Sequence, residues 1–383
     1  MKKTVLHFYT NLCPRCILVC AIFSFYASTT LAQTDTVKTL NEVNVDAGSA
    51  RLPGLAPMQS ISAADFLKVS AFNVADAIRN FAGVNIRDYG GIGGLKTVSV
   101  RSIGAGHTAV LYDGVQVNDA QNGQVDLGRF NLNNVQLIAL YTPQPNELCM
   151  PARTFAAASV LTISTVKPNL DRFKPYQISA GIKAGSFGLV NPYLQWQQRL
   201  SDSWSFILNG QIQDADGRYK YRDPFKDGVT ATRINGDIAV RQIEGALYWA
   251  KTDSNKFHIQ FNINNSDRGL PGAVIQNAVY DKQRLQNNDA LVQAGYQRIW
   301  DNSFKLLLNT KVSRNYQHYT DSKYLVEGGA DDEYTLKEFY QSAALSYKFL
   351  KSLEVSYSTD IAVTDLNSQV YVYAFPTRVS LFN

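Results

Sequence analysis

From about residue 176 onward the chain alternates apolar and polar residues with a period of two. In YQISAGIKAG, Tyr176, Ile178, Ala180 and Ile182 share one face, with Gln177, Ser179 and Lys183 on the other. FHIQFNINN sets Phe257, Ile259, Phe261 and Ile263 against His258, Gln260, Asn262 and Asn264. LEVSYSTDIAV repeats the scheme, with Leu353, Val355, Tyr357, Thr359 and Ile361 opposite Glu354, Ser356, Ser358 and Asp360. Successive side chains of a strand point to opposite faces, so each run predicts a strand with one apolar and one polar face. Nine or ten segments follow this pattern.

The connections separate two architectures. Tight turns (LSDSW, TDSNK, WDNSF, LKSL) alternate with long polar stretches at about 214–240, 266–288 and 319–333. A soluble β-sandwich has no reason to alternate short and long connections, whereas a transmembrane barrel has short turns at one rim and long loops at the other. The pattern therefore predicts an antiparallel transmembrane β-barrel wall over 169–383.

Residues 61–168 read differently, as a compact α+β domain. SAADFLKVSAFNVADAIRNFAG (62–83) supplies helices, with Ser62 as N-cap, an apolar repeat at Val74, Ala77, Ile78 and Phe81, and Gly83 as the stop. Short strands are predicted at Val84–Arg87, Val98–Ile103, Ala109–Tyr112 and Val115–Asn118, with two more over Leu132–Ala139 and Val160–Thr165. Asp113-Gly114 between alternating runs is a hairpin signal, because a type I′ turn needs positive φ at both central residues.

The N-terminus is a targeting segment. Lys2 and Lys3 precede the apolar run ILVCAIFSFY, and STTLAQ offers cleavage after Ala32, so 1–32 reads as a secretory signal peptide. Cys13, Cys16 and Cys20 lie inside it, which leaves Cys149 alone in the mature chain and predicts no internal disulfide. Residues 33–60 form a polar, flexible lead-in containing TLNEVNVDAG. A net charge of +5 with scattered basic residues gives no case for a nucleic-acid partner. No nucleophile–base arrangement, phosphate loop or zinc spacing is present, and the chain is not read as an enzyme.

Five motifs, in order, resemble the TonB-dependent outer-membrane receptors of Gram-negative bacteria. LNEVNV (40–45) resembles the TonB box, and VADAIRNFAGVNIRDYGG (74–91) the opening helix and strand of the plug domain. VSVRSIGAGHTAVLYDGVQVND (98–119) is similar to the central plug hairpin, with Arg101 in the Arg-Gly slot and Asp113-Gly114 in the Asp-Gly-Val slot. ASVLTIST (158–165) matches the closing plug strand, and DRGLPGAV (267–274) a loop of the Bacteroidetes barrels. The resemblance covers the mature chain and is greatest to the smaller cobalamin and siderophore receptors. Two departures stand out: Ser102 replaces the glycine after Arg101, and 141–159 lacks the usual Arg-Gly-Pro and Tyr-Gly.

The resemblance implies a receptor in the cell outer membrane that takes up a scarce, bulky nutrient, cobalamin or a ferric siderophore. Energy would come from the proton-motive force through TonB with ExbB and ExbD. The substrate is expected to be a small molecule or metal chelate, and the wall to be surrounded by outer-membrane lipid. Leu40, Glu42, Val43, Asn44 and Val45 would bind TonB as an added strand; the alternative is a disordered linker. Ligand contacts are expected at Tyr89, Gly90, Gly91, Gly93, Asp119, Gln121 and Asn122, or these are turns without a ligand role. Arg101 and Asp113 either line the plug–barrel contact or close a polar network within the plug. Asp214, Asp216, Asp223 and Asp227 form a candidate Ca²⁺ loop, or a solvated one. The family barrel has about 22 strands, and ten cannot enclose a plug, so the chain is expected to hold the plug and the first part of a barrel. A non-transporting barrel, or a defective product, is the alternative.

Overall fold

A computed structural model describes residues 58–117, 124–142, 147–275, 278–279, 282–301, 303–323, 329–350, 353–370 and 377–383. The plug begins with β1 (Met58–Ser62), α1 (Ala63–Phe66), α2 (Val74–Ile78), β2 (Val84–Asp88) and β3 (Lys96–Val100). It continues with β4 (Thr108–Tyr112), β5 (Val115–Val117), β6 (Val135–Tyr141) and β7 (Ser159–Thr165). Five strands form one sheet in the order β1-β6-β7-β4-β5, in which β4 and β7 are parallel; β2 and β3 pair separately as a hairpin. Val74, Ile78, Leu127, Ile138, Leu140, Leu161 and Ile163 make the core between helix and sheet, all at or near complete burial. Burying each such side chain stabilises by about 1.5–3 kcal/mol.

Several boundaries differ from the sequence reading. The predicted helices are α1 and α2, both short. Ser62 occupies the cap position of α1 but donates to the Asp65 carboxylate (2.7 Å) and caps no backbone N–H. Asn73 instead caps α2, accepting from Asp76 N at 3.0 Å. The plug sheet starts at Met58, inside the expected lead-in, because Ile61 pairs with Ile138 and is buried there. The strand expected to run to Ile103 stops at Val100, where Arg101 (φ 49°) and Ser102 (φ 60°) turn left-handed. Leu132–Asn134 form a short 3-10 turn before β6, capped by Asn131.

The wall comprises β8 (Tyr176–Gly185), β9 (Leu189–Arg199), β10 (Trp204–Ala215), β11 (Tyr219–Arg222), β12 (Thr230–Arg233), β13 (Ile238–Thr252) and β14 (Asn255–Leu270). It goes on through β15 (Val274–Ile275), β16 (Ala278–Val279), β17 (Gln283–Trp300), β18 (Phe304–Asp321), β19 (Ala330–Leu350), β20 (Leu353–Ser368) and β21 (Arg378–Phe382). Ten of these build one antiparallel sheet in the order β21-β20-β19-β18-β17-β14-β13-β10-β9-β8; β11–β12 and β15–β16 are hairpins within the long connections. Leu208, Ile243, Ile259, Ile263, Val292, Val312 and Phe339 stand exposed on the outer face. Asn209, Gln242, Glu244, Gln260, Gln293, Lys311, Glu338 and Asp360 are buried on the inner face, toward the plug. An apolar outer face with a polar interior is the inverse of a soluble fold and the arrangement of a membrane barrel wall. The strands also run further into the long loops than periodicity suggests: β14 reaches Leu270 and β18 reaches Asp321. Stretches such as Asn264–Asp267 are polar on both faces, so the two-residue signal fades while the ladder continues.

Candidate functional site

The β2–β3 hairpin carries a loop, 89–95, that is fixed by its own ends. Asp88 accepts from Gly90 N (3.1 Å) and Gly91 N (2.8 Å), while the Lys96 ammonium donates to Asp88 Oδ2 and to Gly91 O, both at 2.7 Å. Burial raises the Asp88 pKa, but Lys96 and the two N–H groups outweigh it and hold the carboxyl below its usual range. Lys96 was not singled out in the sequence, although its cross-strand position opposite Asp88 is what closes the loop.

Above this loop lies a cavity of about 740 Å³ between plug and wall. Tyr89, Gly90, Asp126 and Arg129 line it from the plug, and Arg268, Asn287 and Gln317 are among its wall residues. Gly91 and Gly93 shape the loop from outside the lining: Gly91 O receives Lys96, and a side chain at Gly93 would meet Gly236 O. Asp119, Gln121 and Asn122 lie outside the described residues, as do residues 1–32, expected to be a signal peptide, and Leu40, Glu42, Val43, Asn44 and Val45. The cavity's charges are largely internally matched, with Arg268–Asp126 at 2.9 Å and Arg129–Asp289 at 3.7 Å. Asn264, Asn287 and Gln317 add polar side chains to the wall lining, with Asn264 Oδ1, Asn287 Oδ1 and Gln317 Oε1 buried without a hydrogen-bond partner.

Polar bonds seam the plug to the wall. Glu244 on β13 accepts from Tyr112 Oη (3.2 Å), Asn134 Nδ2, Gln242 Nε2 (2.6 Å) and Asn262 Nδ2 (3.0 Å). Burial first, and Glu244 second, raise the Tyr112 hydroxyl well above its usual pKa, so it remains a donor. Gln293 Nε2 donates to Tyr112 O at 2.9 Å. Lys311 on β18 donates to Gln116 O (2.8 Å) and Glu338 (2.7 Å), and Arg153 reaches the other oxygen of Glu338 at 3.4 Å. Asp360 on β20 accepts from Ala152 N and Arg153 N, both at 2.9 Å, and from Tyr340 Oη at 2.9 Å. Within 141–159, whose sequence departs from the resembled pattern, the described residues 147–158 thus carry a docking element for the wall. Cys149, free and buried, lies in it.

The two residues of the central hairpin part company. Asp113 (φ 47°) and Gly114 (φ 85°) form the turn between β4 and β5, in the left-handed region that Gly114 occupies without cost. The Asp113 carboxylate accepts from Thr165 N (2.9 Å) and Thr165 Oγ1 (2.6 Å), so its partner is inside the plug. Arg101 is exposed and enters no ion pair among the described residues; only its backbone is held, by Gly83 O at 2.7 Å. The pair does not form a shared network.

The four aspartates of the candidate Ca²⁺ loop do not come together among the described residues. Among the described residues no group of acidic, histidine or cysteine side chains converges as a metal site. Asp214 sits on β10 and pairs with Arg241 (3.2 Å), Asp216 accepts from Arg218 N, and Asp223 accepts from Phe225 N at the tip of β11–β12. Asp227 stands in the same hairpin turn at φ 48°. Each carboxylate is spent on a local turn or strand contact, or lies apart from the others. His258, on the inner face of β14, covers Gly295, and His318 pairs with Asp331 at 2.5 Å; neither joins a ligand cluster.

Residues 53–150 match the family described as the TonB-dependent receptor plug domain. The fold resembles the ferric enterobactin receptor PfeA of Pseudomonas aeruginosa, at TM-score 0.58 and 15% identity over 82% of this chain and 49% of that one. It also resembles the siderophore receptor PirA of Acinetobacter baumannii, at 0.56 and 17% over 82% and 48%. The copper transporter OprC matches at 0.61 and 11% over 80% and 46%. The chain spans about half the length of these structures. At such identities the likeness is one of fold.

Proposed function

We propose, with the plug domain and fold of a TonB-dependent outer-membrane receptor as the premise, that this protein serves active uptake of a bulky nutrient, a ferric siderophore or cobalamin. The observation that carries this reading is the cavity of about 740 Å³ whose floor is plug and whose side is wall. A ligand seated there rests on Tyr89 and Gly90, with Gly91 and Gly93 setting the loop.

Release in this proposal needs no catalytic group. The plug is held to the wall by hydrogen bonds and ion pairs, which water and the ligand can replace one at a time when the plug is pulled from below. The pull would be applied at Leu40 and Glu42–Val45 by TonB, energised with ExbB and ExbD, through strand addition to its sheet edge. The test is uptake of labelled ferric siderophore and labelled cobalamin by cells carrying the gene, with and without TonB. Uptake that requires TonB supports the reading. A 33–60 peptide that fails to capture TonB, together with TonB-independent accumulation, would overturn it.

A further inference from the structure

The first two long connections of the wall are pinned to each other. The β11–β12 hairpin lies in the connection between β10 and β13. Arg233, at its last position, donates from Nη2 to Pro271 O and Gly272 O in the connection that follows β14. One guanidinium on two carbonyls makes charge-assisted bonds whose geometry is fixed by its planar fork. Asn235 adds bonds from Nδ2 to Leu270 O (2.9 Å) and Gln283 O (2.8 Å). Arg284 pairs with Asp237 at 2.9 Å and with Asp267, and Gly269 N donates to Asp237 O at 2.9 Å. The ends of the hairpin cross at Gly217 and Gly236, so closely that a Cβ on Gly217 would stand 1.9 Å from Gly236 O.

These ties reach the plug. Pro271 is buried, and its ring lies against the backbone of Gly90 in the plug loop: a Cβ added at Gly90 would stand 2.9 Å from Pro271 Cδ. On its other side Gly90 N is held by Asp88. Tyr219, Arg233, Pro271 and Gly272 line the same cavity as Tyr89 and Gly90. Tyr219 and Arg233 are directly paired in the hairpin, so the latch and this stretch of the lining belong to one rigid row. Arg233 is thus one link removed from the cavity floor, acting on the 271–272 carbonyls, while Pro271 acts on Gly90. Segments ordered before a ligand arrives do not have to be ordered by it, which lowers the entropic cost of binding.

We propose that Arg233 is a positioning residue for the cavity: by holding the Pro271 and Gly272 carbonyls it keeps Pro271 on Gly90, so that rim and floor are set together before the ligand arrives. The described parts of the two connections then act as a fixed rim and not as a lid that closes over the ligand. The role in ligand binding rests on the reading of this cavity as the nutrient site, whereas the coupling of rim to floor stands apart from it.

The test uses the full chain in phosphatidylcholine vesicles, with amide hydrogen exchange as the first readout. Arg233→Ala is expected to speed exchange at Gly90 and Gly91 about tenfold, although its hydrogen bonds to the 271–272 carbonyls do not reach the plug. Arg233→Lys keeps a charged donor for the carbonyls and is expected to restore most of the protection. Pro271→Ala is expected to give the same rise, and the double variant no more than Pro271→Ala alone. Faster exchange confined to 271–275, or a uniform rise that includes Thr165 N in both single variants, overturns the proposal. The second readout is dissociation of ferrichrome and of cyanocobalamin, followed by protein fluorescence. A bound probe is expected to leave Arg233→Ala about tenfold faster than wild type, and to leave the double variant no faster than Pro271→Ala. Additive losses in the double variant would mean that Arg233 touches the ligand itself, which overturns the positioning role. If wild type binds neither probe while the exchange pattern holds, the uptake reading fails and the coupled rim stands. If a probe binds and Arg233→Ala matches wild type in both readouts, this inference alone fails.

Discussion

Arg268 of the wall and Asp126 of the plug form an ion pair at 2.9 Å in which both side chains are nearly buried. Asp126 accepts at the same time from Lys96 N (3.0 Å) and Gly128 N (2.9 Å), so one carboxylate ties the wall to the cavity floor. Breaking a buried pair by removing one partner leaves an uncompensated charge, at a cost of about 3–5 kcal/mol. Arg268→Ala is expected to lose about 3 kcal/mol, the low end, because two N–H donors still face the carboxylate. Urea unfolding in vesicles measures it. Arg268→Met with Asp126→Asn should recover most of the loss; no recovery would mean that Arg268 acts through packing alone.

Asp360 gives a second, separable prediction. It satisfies two consecutive backbone N–H groups of the docking element as well as the Tyr340 hydroxyl. Asp360→Ala leaves these donors buried without acceptors, at about 1–3 kcal/mol for each group. Hydrogen exchange should show Ala152 and Arg153 losing protection, while Thr165 N, held by Asp113, keeps its own. Uniform loss across the plug would show global destabilisation in place of a local anchor.

The wall was legible because its strands carry a period-two code over their membrane-facing lengths, and the hairpin at Asp113-Gly114 because only a few residue types accept its φ values. The seam was not. Arg153 meets Glu338 across 185 positions, and Asp126 meets Arg268 across 142, distances at which no local spacing speaks. A weaker signal was there to use: Glu244, Lys311, Glu338 and Asp360 all fall at inward parity in their strands. A charge on the plug-facing side must find a partner, so inward charges mark the seam better than Arg101, which stands exposed on a turn. The aspartates of 214–227 show the limit of spacing from the other side, since four carboxylates within a short span do not converge among the described residues.

Acid should loosen the cavity floor before the plug unfolds. The folded Asp88 carboxyl lies below its ordinary value of 3.8, so it contributes stability above that pH and loses it as pH falls through the folded value. Protonation removes the Lys96 ion pair and weakens the acceptor for Gly90 and Gly91. Amide exchange in 89–95, corrected for its intrinsic pH dependence, should rise as pH drops below about 3.8 in wild type. Asp88→Asn should flatten this dependence; an unchanged profile would place the titrating group elsewhere.

Ser102 is the position where the chain departs from an Arg-Gly pattern, and it keeps the backbone such a glycine would suit. Its φ is 60°, directly after Arg101 at 49°, and its exposed side chain has no hydrogen bond among the described residues to offset the conformation. A left-handed L-residue costs about 1–2 kcal/mol, and glycine relieves this while giving back about 0.4–1 kcal/mol through the unfolded chain. Ser102→Gly is therefore expected to stabilise the plug by about 0.5–1 kcal/mol. Ser102→Ala retains the Cβ and the strain, and is expected to gain nothing. Urea midpoints for the two variants decide the matter: equal midpoints would show that the turn is relaxed by its neighbours, and a higher midpoint for glycine alone would locate the strain at this residue.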